Sequence, residues 1–235
     1  MPSNRARLTV RNDQEGRSFP RDIDALTPRG QRTRKALLEA ARIVFERDGF
    51  LEARISDIAE ECRMASGTFY TYFVSKEQIF YELAVGLLQE MLTGDSEMPS
   101  GSRGDPLAGI ERANRRYLAS YRKNAALMGL IEQVATFNDD LRLLRHSRIR
   151  AFTERAKRQV ASLQKLGHVS NDLDPYYCAV ALTSMVSRYA YVCFVLPTEV
   201  DRELDFEESV KTLTVLWANA LGISLDSVNQ PIVSR

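Results

Sequence analysis

Ser66-Gly67-Thr68-Phe69-Tyr70-Thr71-Tyr72-Phe73 places four aromatic side chains within eight residues. Phe69 and Phe73 stand four apart, so on a helix they share one face, and that spacing predicts burial. Tyr70 and Tyr72 then lie to its sides, each with an apolar body and a hydroxyl left open to a partner. One short helix cannot bury all four rings. Arg63-Met64-Ala65 makes a break just before this stretch. Just after it, Val74-Ser75-Lys76-Glu77-Gln78-Ile79 opens another helix, with Ser75 and Gln78 as a capping box and Val74 and Ile79 as a hydrophobic staple. That helix continues through Phe80, Leu83, Leu87 and Met91 and stops at Gly94.

Working towards the N-terminus, Ser56-Asp57-Ile58-Ala59-Glu60-Glu61 reads as a short helix ending near Arg63, with Ser56 as N-cap and Asp57 at the positive end of the helix dipole. Before it, Leu37, Leu38, Ala41, Val44 and Phe45 form one stripe of a helix. Gly49 suits the left-handed residue that ends that helix, and Phe50 can then fold back on Phe45. Residues 1–27 show no apolar period and read as a flexible arm. Three short helices with a tight turn between the second and third form a helix-turn-helix arrangement.

The 235 residues carry 32 Lys and Arg against 31 Asp and Glu, so a uniformly basic coat is excluded and any anion-binding surface is local. Residues 1–35 hold 9 basic and 4 acidic side chains, a basic arm that leads into the first helix. The 3 cysteines, Cys62, Cys178 and Cys193, are far apart and odd in number. They exclude a disulfide scaffold and a CxxC knuckle and fit a reducing cytoplasm. The start has no apolar signal region.

From Leu37 to Phe80 the chain resembles the DNA-binding domain of TetR-type transcriptional regulators. The residues that carry the resemblance are Ala40-Ala41 with Phe45 and Gly49-Phe50, then Asp57-Ile58-Ala59, then Gly67 through Phe73, then Ser75-Lys76-Glu77. The resemblance implies that Lys76 contacts phosphate, as the matching lysine does in the family, and a phosphate at that helix N-terminus would offset an otherwise unfavourable cation. Gly67 lets backbone approach a surface, Thr68 offers a hydroxyl and a methyl, and Tyr70 and Tyr72 reach bases or backbone oxygens. Thr33, Ser56, Ser66 and Thr71 complete the expected DNA-binding set, and Arg29, Arg32, Arg34 and Lys35 would follow the backbone or enter the minor groove. Two residues depart from the family pattern. Arg63 stands where a turn glycine is common; it needs another turn geometry or itself touches phosphate. Ala65 stands where Ser or Thr usually caps, so Ser66 is expected to take over as cap.

Residues 94–106 are a loop by composition, which sets the expected domains at 28–93 and 106–223, with a tail at 224–235. Every later segment reads as helix, at 106–123, 125–137, 139–166, 174–196 and 205–221, with Asp139, Asp174 and Asp205 at starts and Gly167 and Gly222 at ends. The fold is all-α, a three-helix reader followed by a larger helical bundle. Residues 176–196 are long and apolar, but Arg188 would cost roughly 2.5–3.5 kcal/mol in a bilayer, so they read as a core or interface helix rather than a membrane span. By resemblance the second domain binds an effector and dimerises. The expected pocket comprises Tyr117, Tyr121, Met128, Ile131, Phe137, Phe152, Met185, Arg188 and Tyr189. Arg188 pairs with Glu132 or Asp174, or meets the carboxylate or phosphate of an apolar ligand. The basic run Arg142, Arg145, Arg148, Arg150, Arg155, Lys157 and Arg158 reads as a solvated face, with contact to an acyl-CoA phosphate as the alternative. Ala179, Thr183, Val186, Leu213, Leu216, Trp217 and Leu221 are the expected dimer interface.

His146 and His168 sit in no catalytic motif, and no phosphate-binding glycine loop occurs, so no catalytic residue, metal or cofactor is expected. The expected function is a regulator, a repressor that binds a near-palindromic double-stranded operator as a homodimer and leaves it when a small apolar or amphipathic effector binds. The alternative is a soluble carrier of lipid or acyl ligands without specific DNA binding.

Overall fold

The computed structural model describes residues 26–93, 105–196, 198 and 201–224. The expected arm up to residue 25, the loop at 94–104 and the tail from 225 lie outside them. Among the described residues 80% helix content and no strand make the fold all-α. The helices are α1 (Pro28–Glu52), α2 (Ile55–Glu61), α3 (Ser66–Tyr72), α4 (Lys76–Thr93), α5 (Pro106–Lys123), α6 (Ala125–Val134), α7 (Asp139–Lys165), α8 (Pro175–Phe194) and α9 (Phe206–Leu221).

Local chemistry explains most boundaries. Thr27 accepts a hydrogen bond from the Gly30 N–H and Pro28 follows at the first helical position, so the arm gives way to α1 at Leu26, which is buried. Gly49 takes φ 78° and interrupts α1, which swings Phe50 back to stack on Phe45 at 5.8 Å. Asp174 accepts from the Tyr176 and Tyr177 N–H groups and Asp205 from Glu208. Asn138, not Asp139, caps α7 by accepting from the Leu141 N–H. Gly167 and Gly222 both adopt positive φ, as expected of helix ends. α6 ends at Val134, short of the expected 137.

Three local expectations fail. Ser56 lies within the first turn of α2, whose N-cap position is Arg54, and its hydroxyl bonds Asp57 instead. Ser66 is likewise inside α3, whose N-cap position is Ala65 with no side-chain bond. At α4 the Gln78 N–H donates to Ser75 Oγ at 3.2 Å, but the return bond to Gln78 Oε1 comes from the Val74 N–H, and Val74 stays exposed while Ile79 is sealed, so no staple covers it.

The reader and the bundle are continuous. α1 packs on α6 and α4 on α7, while α5 runs beside α9 and α7 beside α8. Phe45, Phe50 and Phe80 form a ring cluster with centroids 4.9–5.8 Å apart, and Phe137 adds to it at 6.2 Å from Phe50. Arg42 donates to Asn124 Oδ1 at 2.9 Å and ties α1 to the α5–α6 corner. No helix among the described residues is long and apolar enough to cross a membrane.

The α2–α3 turn uses a left-handed arginine. Arg63 has φ 55°, and the Met64 N–H reaches back to the Ala59 carbonyl at 2.8 Å. A side chain in that conformation costs roughly 1–2 kcal/mol, against about 0.5–1 kcal/mol for the extra unfolded freedom of glycine. Arg63→Gly is therefore expected to raise stability by about 0.5–1 kcal/mol, or a melting point by roughly 1–4 °C. A lower melting temperature would show that the Arg63 side chain stabilises the turn by more than its backbone strain costs.

Candidate functional site

α3 is held from beneath. Phe69 and Phe73 are wholly buried with rings 5.7 Å apart. Tyr70 stands edge-on to Phe69 at 5.6 Å and remains 47% exposed, on the outer side of the helix. Ser66 and Gly67 are exposed beside it, and Thr68, Thr71 and Tyr72 are half-buried, Tyr72 against the core. A Cβ on Gly67 would meet nothing within 4 Å, so the fold itself does not require glycine there. Arg63 and Ser56 are exposed on the same reader, and Thr33 on α1 donates its hydroxyl to the Arg29 carbonyl at 3.1 Å, leaving the oxygen free to accept.

Two expected DNA-facing cations are engaged inside the chain. The Lys76 ammonium donates to the Leu51 and Ala53 carbonyls, each at 3.0 Å, and sits 4.9 Å from the Phe50 ring centroid. The end of α1 exposes carbonyls that attract a cation, and this attraction turns Lys76 away from its own helix N-terminus. Two of its three donors are thereby used. Arg34 pairs with Glu82 and lies over the Phe73 ring, with burial lowering its pKa. It braces α3 between α1 and α4 rather than trailing along DNA.

In the bundle a cavity of about 170 Å³ lies between α5, α7, α8 and α9. Of the residues expected there, Tyr117 and Phe152 line it, edge to face at 5.4 Å. Tyr121, Met128 and Ile131 are sealed in the core instead, and burial pushes the Tyr121 hydroxyl well above its ordinary pKa. Phe137 is exposed beside Phe50, Met185 packs on the core, and Tyr189 donates to Ser209 Oγ at 2.8 Å, joining α8 to α9. Arg188 is exposed, its guanidinium 5.4 Å from the Tyr191 ring. The arginine that sequence reasoning missed is Arg148, 6% exposed and lining the cavity. The expected dimer set divides as well. Ala179, Leu213 and Leu221 are buried within the chain, Thr183, Val186 and Trp217 line the cavity, and Leu216 alone is exposed.

Cavity and reader are linked. Arg155 lines the cavity and donates to the Leu92 carbonyl at 3.0 Å, at the end of α4. The other end of α4 begins at Lys76, directly after the reader.

Residues 37–83 match the family model of bacterial regulatory proteins, tetR family. Over these residues the chain is similar to the DNA-binding domain of TetR-family regulators. The HTH-type transcriptional regulator UidR of Escherichia coli K12 is 23% identical over 197 residues, covering 81% of this chain and 95% of the relative. A TetR-family regulator from Syntrophomonas wolfei superposes with a TM-score of 0.64 at 19% identity, over 87% of this chain and 99% of that one. A transcriptional regulator from Saccharomonospora viridis, solved in complex with choline, gives 0.65 at 18% identity over 79% and 95%. The likeness in fold thus extends through the bundle, beyond residues 37–83.

The two bonds and the ring contact of Lys76 generate a stability expectation. Lys76→Ala should lower thermal stability by about 1 kcal/mol, half-exposed charge-assisted bonds being weaker than buried ones. An unchanged melting curve would mean that Lys76 serves DNA alone.

Proposed function

We propose that the protein is a repressor that binds a near-palindromic operator as a homodimer and releases it when a small apolar or amphipathic effector fills the bundle cavity. The observation that carries the DNA side is the exposure of Tyr70 on a helix whose other aromatic face is sealed. Tyr70, Thr68 and Thr71 meet base edges in the major groove, with Gly67 allowing close approach and Tyr72 at the margin. Thr33, Ser56, Arg63 and Ser66 contact phosphates, and the remaining donor of Lys76 reaches one more. One reader covers a half-site, so two must act together, roughly 34–36 Å apart on successive turns.

The second copy docks through the outer faces of α8 and α9, where Val180 and Leu216 are exposed, together with Tyr177 at the start of α8. Effector entry displaces Arg155 from the Leu92 carbonyl, loosens the last turn of α4 and tilts the readers out of register. The energy available for release is the difference between effector affinities for the two arrangements. The carrier reading retains the cavity but leaves the exposed reader face without a use.

The test is a gel shift with DNA from beside the protein's own gene. Binding that is specific and weakens steeply with salt supports the regulator, and none at low salt supports the carrier. Tyr70→Ala is expected to lose about 1–3 kcal/mol of operator affinity with the dimer intact. Parent-like binding by that variant would overturn the assigned face. Leu216→Glu should shift size-exclusion elution towards the monomer and abolish operator binding, and an undisturbed dimer would move the interface elsewhere.

A further inference from the structure

The bundle cavity is rich in unsatisfied donors. Arg148 is buried, yet its Nη2 is 3.7 Å from Glu132 Oε1 and its Nη1 meets only the Met128 sulfur at 3.9 Å. Its Nε is buried with no hydrogen-bond partner. The other oxygen of Glu132 is held at 2.8 Å by Arg145. Two guanidinium groups therefore share one carboxylate, and the deeper of the two receives the weaker share. Trp217, 7% exposed and also lining the cavity, has its Nε1–H buried without a partner. Buried donors left open in this way usually mark a missing acceptor, and a buried cation without adequate compensation is costly.

Tyr117, Phe152 and Val186 make much of the cavity's remaining wall apolar and aromatic, and Asn114, Gln159 and Thr183 are among its neutral polar groups. Its volume of about 170 Å³ is close to a cavity of roughly 150 Å³ that holds one benzene ring. Arg155 adds a second cation to the wall. Cations are disfavoured in such a site, and a neutral apolar molecule would leave Arg148 and Trp217 as they are. A carboxylate supplies two acceptor oxygens in the fork geometry that a guanidinium matches.

We infer that the cavity takes a compact apolar carboxylate, its anion against Arg148 and the Trp217 N–H and its body against Tyr117 and Phe152. The inference rests on the reading of this cavity as the effector site and names the chemical class of the effector. An anion at Arg148 also attracts Arg155, which couples ligand charge to the bond that holds the end of α4.

Trp217 is the one tryptophan of the chain, so its fluorescence reads occupancy of the cavity directly. The probes are benzoate and octanoate, their neutral counterparts benzamide and octanol, and choline as a cation, all titrated into the full-length protein. Carboxylates are expected to bind at least about tenfold more tightly than their neutral counterparts, with choline weakest. Arg148→Gln should erase that preference, and Trp217→Phe, followed by calorimetry, should weaken the carboxylates severalfold while leaving the neutral probes unchanged. If Arg148→Gln does not fold, the parent ratio and Trp217→Phe decide. Neutral probes or choline binding as tightly as carboxylates would overturn the charge assignment while leaving the effector reading intact. Carboxylates that bind here without releasing operator DNA would support the ligand class and overturn the effector reading. Binding by none of the probes would overturn both.

Discussion

A helix of seven residues does not persist alone in water, because the cost of nucleating it is spread over too few hydrogen bonds. α3 exists only because Phe69 and Phe73 are anchored beneath it, where fully burying each ring contributes roughly 1.5–3 kcal/mol. The rest of the reader serves that anchoring. α2 packs against α3, and Arg34 of α1 clamps the side of the Phe73 ring while bonded to Glu82 of α4. The Arg63 turn sets the angle of entry from α2. Once Phe69 and Phe73 point inward, helical geometry leaves Tyr70 pointing outward.

The same economy applies at the joint between reader and bundle. Gly49 breaks α1 so that Phe50 enters the ring cluster with Phe45 and Phe80. The break leaves carbonyls of Leu51 and Ala53 without helical partners, and Lys76 satisfies them. A residue that resemblance assigns to phosphate thus also holds the first turn of α4 against the end of α1. The two roles are compatible, since an ammonium has three donors, but they compete for its position.

Much of the fold was legible because its signals are local. Asp174, Asp205 and Gly222 act within three or four residues of themselves, and the Phe69–Phe73 spacing needs only the period of one helix. What the sequence left open was azimuth, the direction each face takes relative to other helices. α8 is apolar around much of its circumference, so nothing local separates Ala179, buried in the chain, from Val180, exposed, or from Thr183, at the cavity. Arg188 looked buried because its neighbours are apolar, whereas the structure turns it out onto Tyr191. Arg148 looked solvated because its neighbours are charged, whereas it is the one turned in. Ser56 and Ser66 were misplaced as caps by one or two residues, because a serine scores well anywhere near a helix start and only the backbone path selects the position.

The misplacement of arginines carries a consequence for how the two halves communicate. α4 spans about 27 Å at 1.5 Å per residue, and its ends are each held by one cation on carbonyl groups. Lys76 belongs to α4 and grips α1. Arg155 belongs to α7 and grips α4. Only the second of these contacts faces the cavity. In the proposed release, charge in the cavity would act on that bond, and the end of α4 would shift against α7, where Leu87, Leu88 and Met91 are buried, carrying the reader with it.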